Sequence, residues 1–130
     1  MSVWKMAMVT AGSALVLAAC GGSSDNGSST SCSAHGGTTS GTGTATVKVV
    51  SDPNTIGKYD PSTVTIKAGD SVLWDFQDSA APHTVTAEDS SFDSCTQNAG
   101  AKFVVTFSKA GDFKYHCTIH AQMLGDVKVS

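Results

Sequence analysis

The sequence has no arginine. Its positive charge rests on eight lysines against eleven acidic residues, a formal net charge of -3 over 130 residues. Losing Lys5 with an N-terminal leader would leave seven against eleven, or -4. That balance argues against a nucleic-acid partner, because Lys and Arg supply the affinity for a phosphate backbone. No long apolar run is present either. The uncharged stretch Met6 to Ala19 has fourteen residues, whereas a bilayer-spanning helix needs about 20. From Ala45 onward there is no convincing apolar period near 3.6, which excludes a helical domain. Between Gly21 and Thr44 there is almost nothing apolar to bury, so that stretch has no core of its own.

What is present begins with MSVWKMAMVTAGSALVLAAC: one lysine, an apolar stretch, small residues and a cysteine. This is the pattern of an export signal over 1–19. Leu17-Ala18-Ala19-Cys20 resembles the lipobox of bacterial lipoproteins, in which cleavage before the cysteine leaves it as a lipidated N-terminus. The resemblance implies lipidation of Cys20; the alternative is an ordinary cleavage site followed by a chance cysteine. Acyl chains on Cys20 would anchor the protein to a membrane, at a periplasmic face or cell surface, without a spanning segment. Residues 20–44, rich in Gly, Ser and Thr, read as a flexible tether to a folded domain over 45–130.

In that domain, short runs alternate apolar and polar residues between turn signals, the pattern of β-strands. Candidate strands are 45–50, 63–66, 71–77, 83–87, 102–107, 112–117 and 125–129. Val47 and Val49, then Val72, Trp74 and Phe76, then Phe103, Val105 and Phe107, are the expected inward faces. Seven or eight such strands suit an all-β, two-sheet antiparallel sandwich. The polar stretch 88–100 is expected to be a long crossing connection, with room for a short helix or strand.

Chemistry concentrates in Tyr115-His116-Cys117-Thr118-Ile119-His120-Ala121-Gln122-Met123, with Cys, His and Met spaced by three and three. Two His and one Cys with a weak axial Met form the blue-copper arrangement. A second His must then come from elsewhere, and His83, in Ala81-Pro82-His83-Thr84-Val85, is the best candidate. Together, the Pro-His-Thr-Val-Thr segment and the Tyr-His-Cys-Thr-Ile-His-Ala-Gln-Met loop resemble the small cupredoxins, and the short loop is most similar to that of amicyanin. The resemblance runs from Ala45 to Ser130. It implies a Greek-key β-sandwich holding one type 1 copper on His83, Cys117, His120 and Met123. Two departures stand out: Ile119 replaces a frequent Pro, and Thr84 replaces an Asn that ties the two ligand segments together in plastocyanin and amicyanin.

The family also implies an electron carrier, passing single electrons between a donor and an acceptor redox protein that dock briefly around the exposed edge of His120. Four protein ligands leave no open position for substrate, which argues against an enzyme. A monomer is expected. The alternative is a copper storage or delivery protein, although such carriers favour Met-rich or His-rich clusters and the folded part has Met123 alone. Strand alternation points His116 away from this copper, so a second copper there is not expected. One lipid site and one copper ligand leave Cys32 and Cys95, a natural disulfide pair in an exported protein. A separate metal site on Cys32 and His35 would have only two ligands.

Overall fold

A computed structural model describes residues 31–130. The leader over 1–19, lipidation at Cys20 and the tether as far as residue 30 lie outside the described residues. The elements, in chain order, are β1 (Ala45–Asp52), β2 (Ile56–Asp60), β3 (Thr63–Ile66), β4 (Ser71–Phe76), β5 (Thr86–Ala87), β6 (Lys102–Thr106), β7 (Gly111–His116) and β8 (Leu124–Val129). They form two four-stranded sheets, ordered β2-β1-β4-β6 and β3-β8-β7-β5. The chain is an all-β sandwich.

Alternating side chains make the core between the sheets. Val47, Val49, Val72, Trp74, Phe76, Phe103, Val105 and Phe107 are all buried, joined from the second sheet by Tyr115, Val127 and Val129. Trp74 is at its centre, 5.2 Å from the Tyr115 ring in an edge-on contact and 5.7 Å from Phe92. Burial of such rings dominates the energetics of a core this small.

The sheets are mixed rather than purely antiparallel: β1 runs parallel to β4, and β3 parallel to β8. Between β1 and β4 the chain crosses to the other sheet through β3 and returns, and strands joined by a crossover can run parallel. Strand β2 carried no signal, because its inward positions are Gly57 and Tyr59 and an inward glycine adds nothing to an apolar alternation. The strand expected over 83–87 is regular only at Thr86–Ala87. Within 88–100 there is neither helix nor strand; the segment doubles back, with Asp93 bridged to Thr86 and Gln97 to His83.

Residues 31–44, within the stretch expected to be a tether, lie on the sandwich as a strap. Cys32 is disulfide-bonded to Cys95, with Cα atoms 5.8 Å apart. His35 pairs with Asp93, and Thr38 exchanges two 2.8 Å hydrogen bonds with Val104 on the open edge of β6. Glycine makes the close approach possible: a Cβ on Gly37 would meet the Val104 carbonyl at 2.6 Å and the Phe103 ring at 2.7 Å. Leu73 and Val104, on the outer face of their sheet, are consequently only 8 % exposed, and a sheet edge open to pairing is covered.

Candidate metal centre

The β1–β2 turn, the connection before β5 and the β7–β8 loop meet at one end of the sandwich. Cys117 follows β7 directly, and alternation turns Tyr115 and Cys117 inward while His116 faces the other way. The loop then closes on itself: the Met123 N–H donates to the His120 carbonyl at 2.9 Å and the Cys117 N–H to the Met123 carbonyl at 3.0 Å. Cys117 and Met123 are each 1 % exposed, and Cys117 is the free cysteine among the described residues.

His83 enters from the opposite segment. Its Nδ1 is 3.1 Å from His120 Nδ1 and 4.0 Å from Cys117 Sγ, and His120 Nδ1 is 3.7 Å from the same sulfur. A triangle with these edges has its centre about 2 Å from each corner, the length of a metal–imidazole bond. Thiolate, two imidazoles and a buried thioether form a soft to borderline donor set that suits copper. The residues fit the ion.

The structure adds partners that the sequence did not advertise. His83 Nε2 donates to Asp78 Oδ2 at 2.6 Å, and both side chains are buried. That bond places the ring proton on Nε2 and leaves Nδ1 a lone pair directed at the site. Burial alone would raise the Asp78 carboxyl. Hydrogen bonds from His83 and from the N–H groups of Ala80 and Ala81 outweigh it and hold the group below the usual carboxylate range. In the sequence Asp78 reads as a turn former; the trace it leaves is its place a few residues before a candidate ligand histidine.

Thr84 ties the two ligand segments. Its N–H donates to Cys117 Sγ at 3.3 Å and its hydroxyl accepts the Thr118 N–H at 2.9 Å. The Tyr59 hydroxyl donates to the Thr84 carbonyl from β2. Burial, followed by the neighbouring Cys117 and Tyr115, pushes the Tyr59 phenol far above its ordinary range, so it remains a donor. Gly57 lies against the His83 ring so closely that a Cβ there would collide with it.

His120 is half-buried, with Ile119 at 46 % and Ile56 at 60 % exposure beside it. Ile56 has φ +72°, a left-handed backbone that β-branched residues avoid. The remaining histidines lie apart from this cluster. His116 pairs its backbone with Thr86 and Leu124, while the His35 ring nitrogens are each 3.1 Å from a carbonyl, of Ser33 and Ser90. The sulfur atoms of Cys32 and Cys95 are committed to each other.

Comparison with known proteins agrees with this geometry. Residues 45–130 match the family model described as copper binding proteins, plastocyanin/azurin family. A chloroplastic plastocyanin of Tetradesmus obliquus is 36 % identical over 97 residues, covering 65 % of this chain and 66 % of the relative, just under two thirds of its length. A purple cupredoxin from Nitrosopumilus maritimus superposes with a TM-score of 0.55 at 30 % identity, covering 64 % of this chain and 98 % of the other. The Cu(I) form of an amicyanin mutant does so with a TM-score of 0.55 at 27 % identity, covering 74 % and 100 %.

Proposed function

The chain belongs to the plastocyanin/azurin family of copper-binding proteins, and on that footing we propose that it is a one-electron carrier whose copper is held by His83, Cys117, His120 and Met123. One observation carries the reading: a buried free thiol and two imidazole nitrogens lie at the corners of a triangle of ligand size. Copper bound there supplies a one-electron couple between Cu(II) and Cu(I).

The surrounding residues fix the donors before the ion arrives. Asp78 holds the His83 ring, Thr84 locks the two ligand segments together, and the His120–Met123 and Met123–Cys117 backbone bonds set the loop. Donors held in this way resist the rearrangement that two oxidation states would otherwise demand. Burial of Cys117, His83 and Met123 keeps water from the interior side, while the His120 edge reaches the surface among uncharged residues. A small uncharged contact of this kind suits brief docking with a donor and an acceptor redox protein. Four donors leave no position for a substrate, so we assign no catalytic reaction.

We place the protein outside the cytoplasm as a monomer, held to a membrane by a lipid on Cys20. The support is the leader pattern over 1–20 and a disulfide of the kind oxidising compartments permit. A chelator challenge separates carrier from copper delivery. Copper retained through repeated reduction and reoxidation in the presence of a Cu(I) chelator is the carrier result; transfer of the ion to the chelator on the first reduction would make copper the cargo.

A further inference from the structure

We propose that the Cys32–Cys95 disulfide positions the ligand His83, through the 93–97 segment that supplies this ligand's backbone partners. The proposal rests on the reading of His83 as a copper ligand. Strand β5 reaches β7 only at Thr86 and Ala87, so the residues before it need another source of order. The His83 N–H donates to the Gln97 carbonyl at 3.1 Å, and the Gln97 N–H donates back to His83 at 2.9 Å. The Val85 N–H donates to the Ser94 hydroxyl at 2.8 Å, and the Ser94 N–H to the Val85 carbonyl at 2.9 Å. Ser94 is fully buried between the two segments.

The 93–97 segment belongs to no strand. Three of its hydrogen bonds are internal: Cys95 N–H to Asp93 Oδ1 at 2.8 Å, the Ser94 hydroxyl to the Cys95 carbonyl at 2.8 Å, and Gln97 Nε2 to the Ser94 carbonyl at 2.7 Å. Cys95 itself has φ +56°, a left-handed conformation that a non-glycine residue keeps only when its surroundings impose it. The strap ties Cys95 from outside the segment. The disulfide joins Cys95 to Cys32, His35 and Asp93 exchange two backbone bonds of 3.0 Å, and Thr38 fixes the strap to β6. The only covalent link in this route from the sheet to the 93–97 segment is the disulfide. Without it the segment keeps its hydrogen bonds to His83, Val85 and Thr86 but loses the covalent tie behind them, and local opening becomes easier there than in the core strands.

The test uses the copper-loaded full chain with the double substitution Cys32→Ser and Cys95→Ser. Amide exchange in the Cu(I) form should be about tenfold faster at His83, Val85 and Gln97, and unchanged at Val49 and Val127 in the core. The thiolate-to-copper band of the Cu(II) form should shift in position or intensity. Should the double variant fail to fold, the same readouts are taken on folded wild-type Cu(I) protein whose disulfide has been cleaved by a phosphine and whose two thiols have been capped. Exchange at His83 and a spectrum both matching the untreated protein would overturn the proposal. A wild-type protein without a thiolate band would instead overturn the copper reading, since exchange is measured without the colour.

Discussion

At the scale of single residues, the proposed copper site depends on a carboxylate behind one of its histidines, since Asp78 Oδ2 accepts from His83 Nε2 at 2.6 Å. Cys117, His120 and Met123 share one loop, so their spacing is visible in the sequence; His83 needed the resemblance, and the structure brings its Nδ1 to 3.1 Å from His120. Asp78 was invisible because a buried carboxylate and a turn carboxylate look alike until a partner is seen. Asp78→Ala should weaken copper binding by roughly 10- to 100-fold, as losing the carboxylate behind a ligating histidine does. Competition with a chelator of known affinity measures this; an unchanged affinity would remove Asp78 from the site. Ile56 presents the opposite case, a residue at odds with its backbone. The β1–β2 turn ends in a left-handed position, where glycine is usual, yet the neighbouring Gly57 is committed against the His83 ring. Replacing Ile56 by Asn, which tolerates that conformation, should leave stability unchanged or raise it by up to about 1 kcal/mol. A denaturant melt reads the change.

At the scale of elements, alternation exposed β1, β4 and β6 because each places large side chains on the inner face. It failed for β2, whose inner face is Gly57 and Tyr59, and for 31–44, whose order comes from a disulfide and an edge pairing rather than from apolar residues. Strand β2 was hidden because glycine contributes no hydrophobic signal, and for 31–44 the cysteine count offered the Cys32–Cys95 pair while nothing marked the edge pairing at Thr38. The close approach of β2 makes a sharp prediction. Gly57→Ala places a methyl group on the His83 ring, and such overpacking costs about 1–3 kcal/mol. The copper spectrum should change along with the melting temperature; a variant with wild-type colour would show that β2 does not set the His83 ring.

At the scale of the molecule, charge sets how stability varies with pH. The Asn54 N–H, foremost among its partners, holds Asp52 below its ordinary 3.8, and the Ser91 hydroxyl and N–H do the same for Asp89. Their contribution is present above 3.8 and is lost as pH falls through the lower folded values. The His35 ring behaves in the opposite sense. The Ser33 and Ser90 carbonyls raise it above 6.5, so its contribution is complete below 6.5 and is lost as pH rises through the folded value. Melting temperature of the metal-free protein should therefore fall on both sides of a plateau, and His35→Gln should remove the alkaline step alone. These effects shape the scaffold, whereas the central claim concerns the centre it carries. The most direct measurement is the visible and electron-paramagnetic-resonance spectrum of the Cu(II)-loaded protein, followed through one cycle of reduction and reoxidation. An intense thiolate-to-copper band with narrow copper hyperfine splitting, bleaching and returning in full, is the predicted result. A weak band with ordinary tetragonal copper parameters, or colour that does not return, would contradict the account.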